Sequence, residues 1–125
     1  MKTLCFIFFL CFMSIQISHA SKLYVNPTTG NDDSTGRNIN YPIKTLNKAG
    51  AVCVNGDTIF IRGGVHTGIK QTFFRSNNQD GWVYIMPYFG ESVTLVGYAA
   101  IDSLWKAILT IESSKNIYIK GLNLI

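Results

Sequence analysis

The sequence has few of the residues that build cross-linked or highly charged proteins. Its 125 residues include three cysteines, three prolines and two histidines, and 14% of them are charged. The basic residues are scattered, so no cluster resembles a nucleic-acid footprint. A nucleophile elbow of the Gly-x-Ser-x-Gly type, a phosphate-binding loop and a paired metal motif are also absent. These absences argue against nucleic-acid binding and against enzymes built on a nucleophile elbow, a phosphate-binding loop or a paired metal motif. A hydrophobic content of 47% favours one globular domain.

The N-terminal segment, residues 1–20, is typical of a secretory signal peptide. Lys2 supplies the positive charge, and residues 4–13 form an unbroken apolar run. Ser18 and Ala20 are small residues at positions −3 and −1 of a cut before Ser21. The apolar stretch is shorter than the roughly 20 residues that span a bilayer, and no second stretch is long enough. We therefore predict cleavage between Ala20 and Ser21, an extracellular location and no membrane partner after cleavage.

Cleavage would leave one domain, residues 21–125, with a net charge of +3 from ten basic and seven acidic residues. Cys5 and Cys11 would leave with the signal peptide, so Cys53 alone would remain. An internal disulfide framework is thereby excluded, and a hydrophobic core must hold the domain together.

The mature part begins with a strand candidate at residues 22–25 and continues through a polar run of turns to residue 40. Ile43, Leu46, Gly50 and Cys53 recur at helical spacing, which predicts a short helix near residues 45–54 with Thr45 as its N-cap. Everything beyond is strand-like. Pairs of aliphatic residues separated by one residue recur at Ile59/Ile61, Val83/Ile85, Val93/Leu95, Leu109/Ile111, Ile117/Ile119 and Leu122/Leu124.

The distances between these pairs suggest a repeat. The step along the chain from Ile59 to Val83 is the same as the step from Val93 to Ile117. A repeat of roughly 24 residues is typical of a solenoid of coils, but spacing alone does not distinguish a solenoid from a sandwich or barrel. The short amphipathic helix favours the solenoid, because the first coil would otherwise expose an apolar cross-section.

Five segments of the chain, taken in order, match known sequence patterns. They are residues 23–32 (LYVNPTTGND), 41–49 (YPIKTLNKA), 56–66 (GDTIFIRGGVH), 85–91 (IMPYFGE) and 117–122 (IYIKGL). The similar patterns are "YVSPxGxD", "PFKTIQKA", "GDTVYVRGGTY", "I.AYPGE" and "ITIKGL". Together the segments resemble the N-terminal region of secreted right-handed parallel β-helix proteins of the pectate lyase-like type.

The resemblance implies an all-β fold, a right-handed parallel β-helix that starts with a short capping helix, and an acidic polysaccharide as substrate. Relatives of this kind cleave uronic-acid chains by β-elimination, with calcium and a basic side chain. No segment here matches the catalytic region of the family. We therefore assign no catalytic residue, metal ligand or cofactor to this chain, and calcium is expected only of a longer relative. Whether the protein is an enzyme is left open.

Aromatic residues around one strand candidate are the main candidates for contact with sugar. Trp82, Tyr84 and Tyr88 share a parity opposite to Val83 and Ile85, so they are expected to point outward. Loops that pack across the outer face would bury the same residues instead. Basic residues could contact an acidic polymer, or form an ordinary solvated surface: Arg62, Lys106, Lys115 and Lys120.

Three further features have ordinary structural explanations. Residues 31–36 (NDDSTG) carry oxygen side chains at calcium-loop positions, but Pro42 stands where a bidentate Glu is needed, so a turn is favoured. His66 is expected to be a turn or packing residue rather than a general base. Cys53 is expected to be a buried small apolar residue rather than a nucleophile.

The last five residues alternate like a strand, and no polar cap follows them. We therefore expect an incomplete β-helix, and self-association through its uncovered C-terminal coil. Two alternatives remain at this point. One is a non-catalytic extracellular protein that binds carbohydrate or has a structural role, and the other is an unrelated secreted all-β domain such as a sandwich.

Overall fold

A computed structural model describes residues 20–74, 81–97 and 107–125. The predicted signal peptide, apart from Ala20, lies outside these ranges. Within them, no helix has the length and hydropathy needed to cross a bilayer. One helix, α1 (Leu46–Val52), is present in the described part of the chain. The strands are β1 (Lys22–Val25), β2 (Thr58–Ile61), β3 (Gly64–His66), β4 (Gln71–Phe74), β5 (Val83–Pro87), β6 (Val93–Leu95), β7 (Leu109–Glu112), β8 (Ile117–Ile119) and β9 (Leu122–Leu124).

The strands form three parallel sheets. Their orders are β1-β2-β5-β8, β3-β6-β9 and β4-β7. The chain visits the sheets in rotation, because β2, β3 and β4 lie in three different sheets and β5, β6 and β7 follow in the same order. The prediction of a β fold with one short helix is confirmed at this level, and antiparallel hairpins do not occur among the described strands.

The suggested repeat of roughly 24 residues does not give the register. Ile59 pairs with Ile85 rather than with Val83, and Val93 pairs with Gly64 and Leu122 rather than with Ile117. Val93 and Ile117 in fact lie in different sheets. The repeat length varies because the connections between strands differ in length, whereas the strands themselves stay short and regular.

Helix α1 begins where the sequence predicts and ends earlier. The hydroxyl of Thr45 accepts a hydrogen bond from the Lys48 N–H at 3.1 Å, which confirms Thr45 as the N-cap. Cys53 ends the helix in an extended conformation. The Leu46 N–H of the first turn, which also has no acceptor within the helix, donates to the side-chain oxygen of Gln71 in β4 at 2.8 Å. The helix therefore lies against β4 and is joined to it by a buried hydrogen bond.

One apolar core lies between the sheets and the helix. The inward residues of β1, β2, β5 and β6 are fully buried, as are Ile43 and Leu46 from the helix region. Cys53 is also buried, so the predicted apolar side of the helix is confirmed. Since a parallel sheet needs cover on its inner face, this shared core fixes which residues of each strand point outward.

Candidate functional site

The outer face of the four-stranded sheet carries a ladder of aromatic residues. Tyr24 in β1 pairs with Phe60 in β2, and Tyr84 in β5 pairs with Tyr118 in β8. The residues that alternate with them along the strands are the inward core residues. Because neighbouring strands lie about 4.8 Å apart, outward residues in register bring their rings into contact.

We define the aromatic face by six residues: Tyr24, Phe60, Tyr84, Tyr88, Phe89 and Tyr118. The ring centroids of Tyr24 and Phe60 are 6.1 Å apart and stacked, and those of Phe60 and Tyr88 are 5.6 Å apart and perpendicular. Phe89 lies 5.0 Å from Phe60, and Tyr84 lies 5.8 Å from Tyr118. These distances fall in the range of favourable ring pairs.

The aromatic face is covered at its centre and open at its margins. Phe60 is only 2% exposed because the surrounding rings cover it, whereas Phe89 is 68% exposed and Tyr118 is 44% exposed. Isolated exposed aromatic residues are ordinary, but two ring clusters on and beside one sheet face are a candidate contact surface.

The three residues predicted from the sequence lie on or beside this face. Tyr84 and Tyr88 are half-buried, because their rings pack against other members of the aromatic face. Trp82 is 51% exposed and precedes β5, where its carbonyl accepts a hydrogen bond from the Gly56 N–H. The structure therefore places Tyr88 in a cluster with Tyr24, Phe60 and Phe89, and Tyr84 in a separate pair with Tyr118. Trp82 lies directly before the start of β5.

An ion pair borders the face where β2 ends. Arg62 donates to Glu91 through Nε at 3.1 and 3.0 Å and through Nη2 at 2.9 Å. Glu91 Oε2 also accepts from the Gly63 N–H. A side chain at position 63 would collide with Glu91, since an added Cβ would lie 2.8 Å from its Cβ. The Arg62 guanidinium carbon lies 5.5 Å from the centre of the Tyr88 ring, which is cation–π distance.

The ion pair shifts the titration of both groups. Hydrogen bonding from Arg62 lowers the pKa of Glu91 below its ordinary value. The same bond to Glu91 raises the pKa of Arg62 above its ordinary value. Both groups therefore keep their charges over the whole physiological range, and the charge of Arg62 is largely neutralised by its partner.

A shallow groove adjoins this ion pair. It has a volume of about 270 Å³, and Pro87, Tyr88, Phe89 and Lys120 are among its lining residues. The Lys120 side chain is exposed there. The groove thus combines ring surfaces with a cationic side chain. A second groove of about 420 Å³ lies between α1, β4 and β7 and has a polar lining that includes Lys70 and Glu112.

His66 and Cys53 carry side chains that could take part in catalysis, but in the described part of the chain both have structural roles. His66 is 3% exposed, and its ring nitrogens lie 2.7 Å from the Thr28 hydroxyl and 2.9 Å from the Arg62 carbonyl. Cys53 is buried, and its thiol donates to the Gly50 carbonyl. The packing roles expected of both residues are confirmed.

The loop at residues 31–36 is a turn, as favoured. Asn31 accepts a hydrogen bond from the Asp33 N–H. The Asp32 carboxylate accepts from the N–H groups of Lys44 and Thr45 and from the Thr45 hydroxyl, at 2.8–2.9 Å. Among the described residues, no group of three or more His, Cys, Asp or Glu side chains is arranged to hold a metal ion.

Two of the remaining basic candidates are exposed and one is not described. Lys115 and Lys120 have exposed side chains near the two ends of β8. Lys106 lies outside the described residues. The two residues at the predicted cleavage site are described, with Ala20 exposed and Ser21 directly before β1.

Comparison with known proteins does not assign this chain to a family. No protein-family model matches this chain, and no curated protein matches it. The resemblance to pectate lyase-like proteins therefore rests on the sequence segments themselves.

Sequence reasoning missed Glu91 and four of the six residues of the aromatic face, namely Tyr24, Phe60, Phe89 and Tyr118. Phe60 is an outward residue in a strand whose inward residues were identified, so its parity was an available signal. Phe89 and Glu91 follow β5 in a turn, where strand parity carries no information. Their positions depend on the approach of that turn to Arg62, which is a contact between distant parts of the chain.

Proposed function

We propose that this chain is the start of a secreted right-handed parallel β-helix of the pectate lyase-like type, and that its aromatic face contacts acidic polysaccharide. The winding is supported by the rotation of the chain through three parallel sheets. Right-handedness is the general rule for crossover connections between parallel strands. The short helix beside β4 fits the role of a cap over the first coil.

The observation that carries the binding proposal is the proximity of exposed rings of the aromatic face to cationic side chains. Sugar rings present C–H surfaces that stack on aromatic rings, and uronic acids add carboxylates that attract Lys. Lys120 lines the groove beside Tyr88 and Phe89, and Lys22 is exposed at the start of β1. Arg62 positions the Tyr88 ring rather than offering a separate charge, because Glu91 holds its guanidinium.

The experiment is retention on immobilised polygalacturonate compared with a neutral glucan. We expect retention on the acidic polymer that weakens with added salt. Tyr118→Ala and Trp82→Ala should each weaken binding about tenfold, the effect of losing roughly 1.4 kcal/mol of ring contact. Tyr41→Ala is the matched control, because Tyr41 is 67% exposed but lies in the loop before α1.

Charge is tested in the same assay with Lys120→Gln and the control Lys44→Gln. Lys44 is exposed in the loop that leads into α1. Lys120→Gln should weaken retention on polygalacturonate, and Lys44→Gln should leave it unchanged. Equal retention of wild type and all variants, or none by wild type, would contradict the proposal.

The runner-up is a non-catalytic carbohydrate-binding or structural protein. The exposed margin of the aromatic face favours it, since stacking alone needs no catalytic group. Incubation of polygalacturonate with the protein and calcium tests directly for catalysis. Formation of an unsaturated uronide indicates a lyase, and binding without that product indicates a binding or scaffold role.

A further inference from the structure

The start of β1 is fixed by a buried carboxylate. The Asp57 side chain is fully buried, and its Oδ1 accepts hydrogen bonds from the Ser21 backbone nitrogen at 2.8 Å and the Ser21 hydroxyl at 2.9 Å. Its Oδ2 accepts from the Val54 N–H at 2.9 Å and from Arg37 at 3.2 Å. The four donors converge on one carboxylate, and two of them come from Ser21.

Ser21 is also the residue that the predicted signal cleavage makes the first of the mature chain. We infer that cleavage between Ala20 and Ser21 converts a backbone amide into an ammonium group that pairs with buried Asp57 and anchors β1. The inference rests on the proposed secretion of the protein. It does not depend on polysaccharide binding.

The chemistry of the cut balances with water alone. A signal peptidase adds water across the Ala20–Ser21 peptide bond, so that Ala20 gains a carboxylate and Ser21 gains an amine, which takes up the released proton. An α-amino group has an ordinary pKa of about 7.7–8.0, so it is largely protonated at neutral pH. The Ser21 nitrogen therefore changes from a neutral donor to a charged one at hydrogen-bonding distance from Asp57.

The surroundings of the nitrogen fit an ammonium group. Ala20, the described residue on the other side of the cut, is exposed. Ala20 lies beside Gly56, where an added Cβ would come within 3.0 Å of the Ala20 Cβ. After cleavage, two ammonium protons can face water while the third keeps the bond to Asp57. Charge-assisted hydrogen bonds of this kind are roughly twice as strong as neutral ones.

The geometry also sets the order of events. The Ser21 carbonyl accepts a hydrogen bond from the Thr58 N–H at 2.9 Å, and β1 pairs with β2 directly after it. A peptidase needs the Ala20–Ser21 peptide bond in an extended, accessible segment. In the folded chain, Ser21 is instead hydrogen-bonded to Asp57 and to Thr58. Cleavage therefore precedes the docking of β1, and the new amine is available when β1 docks.

The first test uses the chemistry of an N-terminal serine. Periodate oxidises the free 2-amino alcohol of such a serine to an aldehyde, which mass spectrometry detects. We expect the secreted protein to react at least about tenfold more slowly when folded than in urea, because Asp57 holds both the amine and the hydroxyl. Equal rates in the two conditions, or a mature N-terminus other than Ser21, would overturn the inference.

The second test moves the ammonium group along the chain. A full-length gene with a single glycine inserted between Ala20 and Ser21 should give a mature chain in which Ser21 again has an amide nitrogen. We expect its unfolding equilibrium constant to rise about tenfold in urea titrations. In an Asp57→Asn background the insertion should have no effect, whereas in an Arg37→Gln background its effect should persist.

An insertion that is neutral in the wild type, or equally destabilising with Asp57→Asn, would overturn the inference. If Asp57→Asn does not fold, the periodate rates and the Arg37→Gln pair still decide it. Neither test uses polysaccharide, so a failure of the binding proposal is seen separately in the retention assay.

Discussion

At the scale of single residues, Glu91 has the most clearly defined electrostatic role. Its carboxylate binds Arg62 through two atoms and also accepts from the Gly63 N–H. Hydrogen bonding from Arg62 lowers the pKa of Glu91, so the ion pair stabilises the folded state above the ordinary glutamate pKa of about 4.3. That stabilisation is lost as the pH falls through the lower folded-state value.

We predict that Glu91→Gln lowers the free energy of unfolding by about 1 kcal/mol at pH 7, because this bidentate pair is partly exposed. The difference from wild type should shrink at pH 3, below the ordinary glutamate pKa of about 4.3, because the unfolded state then binds a proton that the folded ion pair disfavours. Urea titrations at the two pH values measure it. Glu112→Gln is the control, because Glu112 is exposed at the end of β7 and should have no effect. A wild type and a Glu91→Gln variant of equal stability at pH 7 would contradict the assigned role.

At the scale of elements, the start of α1 depends on an earlier loop of the chain. The Asp32 carboxylate accepts hydrogen bonds from the Lys44 and Thr45 N–H groups and from the Thr45 hydroxyl. The Thr45 hydroxyl oxygen in turn caps the helix through Lys48. The chain thereby satisfies donors that would otherwise lack partners at the helix entrance.

We predict that Asp32→Ala destabilises the fold by about 2 kcal/mol, since three donors lose their acceptor. Asp33→Ala is a closely matched control. It removes the neighbouring acid, whose own backbone N–H binds Asn31, and should change stability by no more than about 0.5 kcal/mol. Chemical denaturation of both variants measures the difference. Equal losses would show that the loop acts through its net charge rather than through the specific bonds of Asp32.

The elements also show what could be predicted from the sequence. Strands with two aliphatic residues on the inward face were identified, because alternation reports burial on one side. β3 and β4 were missed. The segment Gly64–His66 has a single aliphatic residue, and β4 has Gln71 at a buried position because Leu46 of the helix needs its side-chain oxygen.

The residues of the candidate site also differ in how far the sequence predicts their positions. The outward direction of Tyr84 and Tyr88 could be predicted from parity around β5, whereas their contacts with Tyr118 and Tyr24 depend on pairing between strands. The suggested repeat of roughly 24 residues does not identify the pairing partners, because the spacing between paired strands varies. The separation along the chain is instead shorter between Ile59 and its partner Ile85 than between Gln71 and its partner Leu109. Pairing between distant strands depends on loop lengths, which apolar periodicity does not encode.

At the scale of the whole molecule, the two ends of the sheets differ. At one end α1 and β1 cover the core, whereas β7, β8 and β9 are each the last described strand of their sheet. Inward residues of the strands before them are fully buried, and their ladder partners in the last strands are 38–50% exposed. The buried and exposed partners are Phe73 and Ile111, Ile85 and Ile119, and Leu95 and Leu124.

We predict that the chain self-associates through this end, where a second copy would cover the exposed apolar residues. Two copies related by a twofold axis would present the same strand edges and apolar residues to each other, so each end could cover the other. We expect sedimentation velocity to show a dimer whose fraction rises with concentration. The double variant Ile119→Lys, Leu124→Lys should stay monomeric, because each lysine would place a charge in the shared apolar surface.

The control for this prediction is Val65→Lys. Val65 is a 68% exposed apolar residue of β3, outside the last strands, so its replacement should leave the dimer unchanged. A wild type that is monomeric at every concentration would contradict the prediction. Dimers that the Val65 variant loses as well would indicate that general surface hydrophobicity, rather than this end of the sheets, drives association. The comparison therefore tests whether the exposed ladder residues, which are in register with buried Phe73, Ile85 and Leu95, drive association.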